Sequence, residues 1–148
     1  MISIDTNLLL FAYAAASPHH ERALAFVTAQ GPREDVLVSE LVLGELYVLL
    51  RNPAVLARPL TEQEAGGVIA AYRQHPTWRV AGFPSSGRAL HDELWRRASQ
   101  PQFARRRLYD LRLGLWLRAA GVEQFATANV RDFRDLGFAR VWNPLEGE

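Results

Sequence analysis

The chain begins with MISIDTNLLLFAY, residues 1–13, and this stretch decides the fold because a short apolar triplet and a long apolar run flank one acidic residue. The triplet at residues 2–4 predicts a buried strand, and residues 6–15 predict a helix. Asp5 lies where the strand ends. Because a fully buried aspartate is rare unless it is paired or binds a metal, Asp5 is the first candidate functional residue.

The same stretch also resembles the apolar core of an export signal. Such signals carry positive charge ahead of the apolar part, whereas the only charged side chain before this run is Asp5. We therefore expect residues 1–13 to belong to the fold, and we expect a cytoplasmic protein. The absence of cysteine fits a reducing compartment and excludes disulfides, thiolate catalysis and cysteine-ligated zinc.

The composition indicates one soluble globular domain over residues 1–148, with 49% apolar and 22% charged residues. No apolar window is long enough for a transmembrane helix, so we expect no membrane association. The net charge is +1, and all 17 basic residues are arginine. Any site that needs a catalytic or phosphate-binding lysine is therefore excluded.

Short apolar segments alternate with longer helical ones along the chain. After residues 2–4, strand candidates occur at residues 36–38, 78–83 and 125–127, and an edge strand at residues 140–144. This alternation is typical of an α/β domain with a short, mostly parallel sheet of four or five strands flanked by helices. Ligands of such sheets bind at the carboxyl ends of the strands.

Three helix starts have capping signals. Ser17 precedes Pro18 and is expected to cap the second helix, and Ser39 is expected to cap the third. Thr61 and Glu64 have the spacing of a capping box, so the fourth helix is expected to begin near residue 61.

Two further acids interrupt apolar helices. Glu45 is expected to point inward because it shares a helical face with Leu41 and Val48, and Asp110 interrupts an apolar stripe on a later helix. A single acid of this kind is commonly paired with an arginine. Several converging acids, however, repel one another unless a cation joins them. Oxygen ligands without cysteine favour Mg²⁺ or Mn²⁺.

Polar and basic residues surround the same predicted edge of the sheet. TANVRDF, residues 127–133, follows the fourth strand and supplies Thr127, Asn129 and Asp132. Residues 88–118 contain eight arginines and three acids. This basic segment predicts either a phosphate-binding surface or a solvated helix face.

Four blocks in this order resemble the PIN-domain ribonucleases, and the nearest group is the VapC-type toxins of bacterial toxin–antitoxin pairs. The blocks are MISIDTNLLLFAY, SELVLGEL at residues 39–46, Asp110 in a helix followed by AAG, and TANVRDF; the closing VWNPL extends the match. The resemblance covers nearly the whole chain. It implies a PIN-like three-layer sandwich and an acidic pocket for one or two Mg²⁺ or Mn²⁺ ions.

The resemblance also assigns roles to individual residues. It implies metal binding and catalysis by Asp5, Glu45 and Asp110. The implied supporting polar side chains are Thr6, Asn7, Thr127 and Asn129. The family often has an aspartate where this chain has Asn129, so Asp132 either supplies the fourth catalytic carboxylate or only supports the turn.

The implied activity is hydrolysis of RNA phosphodiester bonds by a metal-activated water, leaving a 5′-phosphate and a 3′-hydroxyl. The implied partners are an antitoxin whose tail covers the acidic pocket and a second copy in a homodimer. The candidate RNA-binding residues are Arg105, Arg106, Arg107 and Arg112.

Two other functions compete with this activity on the sequence alone. A catalytically inactive PIN-like module that binds RNA or a protein is the main one, and retention of three acids argues against it. A haloacid-dehalogenase-like phosphatase would need an aspartate where Asn7 stands, and a lysine.

Overall fold

The computed structural model describes residues 1–147. None of the helices in this range is long and apolar enough to cross a bilayer. The helices and strands occur in the order β1 (Ile2–Ile4), α1 (Thr6–Tyr13), α2 (His20–Gln30), β2 (Leu37–Ser39), α3 (Glu40–Leu50), α4 (Glu62–Arg73), β3 (Arg79–Ala81), α5 (Gly87–Ala98), α6 (Leu108–Ala119), β4 (Gln124–Ala126) and β5 (Arg140–Trp142). Three 3₁₀ turns in this range cover Arg105–Arg107, Val130–Asp132 and Arg134–Leu136.

The strands form a short parallel sheet. β1, β4 and β5 pair in that order, and β2 pairs with β3 beside them. One parallel bridge between Ile2 and Val36 links the two groups, so the strand order is β3-β2-β1-β4-β5. The predicted short parallel sheet, with the strand near residue 140 at its edge, is confirmed.

The order of the strands explains why the site lies between β1 and β4. After β1 the chain adds β2 and β3 on one side, then crosses to the other side for β4 and β5. This reversal is the switch point at which ligands bind in open α/β sheets. Ile4 pairs with Ala126, and the Asp5 N–H donates to the Ala126 carbonyl at 2.9 Å. The residues that follow these strands, Asp5 and Thr127, are therefore neighbours.

Burial of the first 13 residues holds this edge of the sheet in place. β1 is wholly buried, as are Leu8, Leu9 and Leu10 of α1. Full burial of one leucine side chain contributes about 1.5–3 kcal/mol, so α1 anchors Asp5 firmly. The predicted strand and helix are confirmed, although α1 ends at Tyr13 rather than residue 15.

Two of the three predicted helix caps are confirmed. Ser39 caps α3 through the N–H two residues on, at 3.0 Å, and Thr61 and Glu64 form a reciprocal capping box on α4. The expectation for Ser17 is wrong, because α2 begins at His20. The Ser17 hydroxyl instead accepts the N–H two residues on at 3.2 Å and closes a turn before the helix. Serine side chains stabilise such turns as well as helix starts.

Gly114 allows the turns after β4 to pack against α6. An added Cβ at Gly114 would overlap Leu136 Cδ1 and lie 3.5 Å from Phe133 Cδ1. Gly114 also lies one turn beyond Asp110, on the same side of α6. The close approach at Gly114 therefore helps to bring the segment that carries Asn129 and Asp132 towards Asp110.

We predict that Gly114→Ala lowers the free energy of unfolding by about 1–3 kcal/mol, because overpacking outweighs the better helix propensity of alanine. Urea denaturation measures this change. Gly66→Ala in α4 is the matched control, since an added Cβ there meets nothing within 4 Å. The control should gain up to about 1 kcal/mol. Equal gains in both variants would contradict the packing role of Gly114.

Candidate active site

Asp5 is the central side chain of the site. It is only 7% exposed, and three donors hold its carboxylate. Oδ1 accepts the Thr6 N–H at 2.8 Å, and Oδ2 accepts the Thr127 hydroxyl at 2.6 Å and the Asn7 amide at 3.0 Å. Asp5 is also the N-cap of α1, where the helix dipole favours negative charge. Its position and orientation are therefore fixed by both β1 and β4.

Asn7 and Thr127 cross-link the ends of these two strands. Asn7 Oδ1 accepts the Ala128 N–H at 3.1 Å, which directs the amide NH₂ towards Asp5. The Thr127 oxygen accepts the Asn129 N–H at 2.9 Å while its hydroxyl donates to Asp5. Two predicted supporting residues, Thr127 after β4 and Asn7 on α1, thus contact the Asp5 carboxylate directly.

Glu45 reaches the same network from α3 through Thr6. The Thr6 hydroxyl donates to Glu45 Oε2 at 3.2 Å. The expectation that Glu45 points into the core is wrong, because Glu45 is exposed and Val48 on its face is 62% exposed. The buried face of α3 consists of Val42, Leu43, Leu46 and Leu50. Since α3 is apolar on most sides, the spacing of its apolar residues could not identify the buried face.

Asp110 and Asp132 meet at Asn129. The Asn129 amide donates to Asp132 Oδ2 at 2.7 Å and, at a longer 3.4 Å, to Asp110 Oδ2. Arg107 Nε lies 3.8 Å from Asp132 Oδ1, and the Arg107 guanidinium donates to the Asp132 carbonyl at 3.4 Å. Asn129 is therefore an amide that bridges the Asp110 and Asp132 carboxylates. Hydrogen bonds connect all eight acidic and supporting residues that the sequence predicted into one network.

Burial and neighbouring acids make two carboxyl groups of the network hold their protons more tightly than usual. The pKa of Asp5 is raised to about 6, mainly by burial and also by the charges of Glu45 and Asp110, against hydrogen bonds from Thr127 and Thr6 that lower it. The pKa of Asp110 is also raised to about 6, first by burial and then by Asp132 and Glu45, while Arg107 and Arg106 oppose the shift.

The four predicted RNA-binding arginines do not form a single set. Arg106 and Arg112 line a cavity of about 830 Å³ together with Glu45 and Asp110. Arg107 is instead engaged with Asp132, and Arg105 is exposed on the turn before α6, outside this cavity lining. Two of the four arginines therefore lie beside the acids Glu45 and Asp110.

Sequence reasoning missed the apolar half of this cavity. Its other lining residues are Leu41, Gly44, Val48, Tyr109 and Leu113. The α3 members follow the spacing of one helical face, and Tyr109 directly precedes Asp110. The helical spacing on α3 and the position of Tyr109 beside Asp110 could have indicated this cavity wall. Ordinary packing of a helix against the core, however, produces the same spacing of apolar residues.

The side chains present fit a hard divalent cation by their chemistry. Asp5, Glu45, Asp110 and Asp132 offer only oxygen ligands, which Mg²⁺ and Mn²⁺ prefer. Burial and neighbouring carboxylates raise the pKa values of Asp5 and Asp110, and a bound cation would favour their ionised forms. Within residues 1–147, no three histidine, aspartate or glutamate side chains are arranged as a ready coordination group. The acids surround the edge of the sheet rather than meeting at one point.

The raised pKa values predict how stability depends on pH. The folded protein binds these protons more tightly than the unfolded chain, so the free energy of unfolding falls as pH rises from 3.8 through about 6. Between pH 5 and 7.5, with EDTA present, we expect a loss on the order of 1 kcal/mol for each carboxyl. Urea denaturation at both values measures it.

Asp5→Asn is the control for this pH dependence and should lose only about half as much as the wild type. A wild-type protein that becomes more stable between pH 5 and 7.5 would contradict the raised pKa values of Asp5 and Asp110.

Comparison with known proteins identifies related toxins and their complexes. No family model matches the chain. Ribonuclease VapC24 of Mycobacterium tuberculosis, from each of two strains, is 46% identical over 148 residues, covering 100% of this chain and 99% of the relative.

Solved structures share the fold at lower identity. VapC20 of Mycobacterium tuberculosis, described as a sarcin-ricin loop cleaving toxin, superposes with a TM-score of 0.67 at 22% identity, covering 93% of this chain and 96% of the other. FitAcB of Neisseria gonorrhoeae gives 0.68 at 20% identity, covering 99% and 100%. VapBC2 of Rickettsia felis, bound to a promoter DNA fragment, gives 0.67 at 14% identity, covering 97% and 98%.

These neighbours confirm the PIN-like α/β fold. The full-length match at 46% identity shows the family as well as the fold. The chain belongs to the VapC ribonuclease family.

Proposed function

We propose that this protein is a metal-dependent endoribonuclease and the toxin component of a type II toxin–antitoxin pair. The observation that carries the proposal is the connected acidic network at the switch point of the sheet, where Asp5 and Thr127 meet. Family membership supports it, since the full-length relatives are named ribonucleases.

Asp5, Glu45 and Asp110 are the proposed ligands of the metal. When bound there, Mg²⁺ or Mn²⁺ would lower the pKa of a water molecule and would offset negative charge on the phosphate. The chain contributes orientation: Thr127 and Asn7 hold the Asp5 carboxylate, and Asn129 positions Asp110.

Asp132 acts on the site mainly through Asn129 in this proposal. Its Oδ2 accepts the short bond from Asn129, and its Oδ1 faces Arg107. Both oxygens are thus already engaged, which favours a positioning role over direct metal binding. Partners of this kind, which orient ligands, commonly change activity or metal affinity 10–100-fold when they are removed.

The RNA is proposed to approach along the cavity that contains Arg106 and Arg112. Both guanidinium groups line the same cavity as Glu45 and Asp110, so a phosphate there is met by cations beside the acids. Hydrolysis in the family's manner leaves a 5′-phosphate and a 3′-hydroxyl.

The proposed protein partners are an antitoxin, whose tail covers the acidic pocket, and a second copy of the chain. The solved neighbours include toxin–antitoxin complexes, which supports this assignment. The proposed location is the cytoplasm. A catalytically inactive, RNA-binding module remains the second candidate, and the cleavage assay below separates the two.

We predict that Asp5→Asn and Asp110→Asn each lower RNA cleavage in Mg²⁺ by more than a hundredfold, since each removes a proposed ligand charge. Mapping of RNA 5′ ends with purified protein measures the loss. Asp92→Asn is the matched control, because Asp92 is exposed on α5 and paired with Arg88. Retained cleavage in both site variants, or cleavage unaffected by EDTA, would contradict the proposed mechanism.

We also predict that Arg106→Ala reduces the slope of log affinity against log salt by about one, because one phosphate contact is lost. Fluorescence anisotropy with a labelled oligoribonucleotide at several salt concentrations measures the slope. Arg58→Ala is the control, since Arg58 lines a different cavity. Equal slopes for wild type and Arg106→Ala would place the RNA elsewhere.

A further inference from the structure

The cavity between α3 and α6 extends beyond the acids that the proposed reaction uses. Its α3 wall is formed by Leu41, Gly44 and Val48, and its α6 wall by Tyr109 and Leu113. The cavity measures about 830 Å³, which lies within the range of pockets that bind small molecules. Apolar walls beside two acids and two arginines do not match a site for a phosphate and a metal alone.

Gly44 keeps the α3 wall of this cavity open. It lies in the interior of α3, where glycine is less favourable than alanine. An added Cβ would meet nothing within 4 Å, so close packing within the chain does not require glycine at this position. What its missing side chain provides is space in the cavity.

Tyr109 supplies an aromatic face at the other wall. It is 75% exposed and directly precedes Asp110. One turn further along α6, the Arg112 guanidinium lies over the Phe83 ring at 5.0 Å. Within the described chain, Arg112 Nε is buried without a hydrogen-bond partner. A flat ring beside free cationic donors is the combination that nucleotides bind, through stacking of the base and contact with the phosphate.

We propose that this cavity binds one unpaired nucleobase of the RNA next to the cleaved phosphate, with Tyr109 stacked on the base and Gly44 leaving room for it. The inference rests on the proposed function, because it identifies a subsite of the same RNA-cleaving site. Sequence-specific recognition of RNA relies on splayed, unstacked bases of this kind. Tyr109 is then a substrate-binding residue that positions this base beside the cleaved phosphate.

The test measures binding rather than cleavage, so that it does not depend on turnover. The protein carries Asp5→Asn, a change outside the lining of the cavity, and the probes are fluorescein-labelled oligoribonucleotides in Mg²⁺. One probe series replaces a single base at a time by an abasic site. Anisotropy then gives the dissociation constant for each combination of protein and probe.

In the Asp5→Asn parent, Tyr109→Ala is expected to weaken binding of the intact probe about ten- to a hundredfold. Tyr109→Phe is expected to leave the affinity of that parent unchanged. At one probe position, removal of the base should raise the dissociation constant of the Asp5→Asn parent by the same factor. The same removal should leave the dissociation constant of the Tyr109→Ala variant unchanged. Tyr13→Ala is the matched control, since Tyr13 is an exposed tyrosine in another cavity, and it should change nothing. The proposal would be overturned if, at every abasic position, the loss of affinity from removing the base and the loss from Tyr109→Ala simply multiplied.

A second pair of variants tests the space at Gly44. Gly44→Leu should weaken binding of the intact probe to the abasic level, whereas Gly44→Ala should bind more nearly normally, and neither should lower the melting temperature. If Gly44→Leu changes the oligomeric state by light scattering and leaves RNA affinity unaltered, the cavity is a protein–protein contact and the proposal is overturned.

Cleavage by the unsubstituted chain distinguishes this inference from the proposed function. Coupling between Tyr109 and one base without any cleavage would support the subsite and refute the nuclease. Cleavage without such coupling would support the nuclease and refute the subsite.

Discussion

The buried carboxylate of Asp5 is the constraint on which the rest of the structure depends. A charged side chain that is 7% exposed needs partners, and those partners come from the start of α1 and the end of β4. They are in reach only because β1 and β4 are adjacent and in register at Ile4 and Ala126. The apolar run after Asp5 buries α1 in the core and so holds the adjoining end of β1 in place. Strand order, helix burial and the site are therefore one linked arrangement.

The same arrangement buries acids whose ionised forms lower the free energy of unfolding. Burial and mutual repulsion raise the pKa values of Asp5 and Asp110, while Arg107 is engaged with Asp132 at the far end of the network. Proteins keep such unfavourable groups mainly where function requires them. In the proposed mechanism a hard cation would offset the repulsion, and RNA phosphates would meet Arg106 and Arg112 in the adjoining cavity. Stability and the proposed chemistry thus depend on the same charges.

Much of the site could be predicted because strand ends are visible in the sequence. Asp5 and Thr127 follow short apolar strands, and in parallel sheets such residues converge at one edge. The orientation of Glu45 could not be predicted, since α3 is apolar on several faces. The bridging role of Asn129 depends on side-chain directions, which residue spacing does not reveal. A 3₁₀ turn before α6 directs Arg106 to the cavity and Arg107 to Asp132, and spacing does not reveal this difference either.

The most direct test of the central claim is calorimetric titration of the protein with Mg²⁺ in buffers of different ionisation enthalpy. If the cation binds at Asp5 and Asp110, it must displace the protons that these carboxyls retain near pH 6. The account predicts net proton release at pH 6, little release at pH 8, and loss of the release in Asp5→Asn. Binding without proton release at pH 6, or binding unchanged by Asp5→Asn, would contradict it.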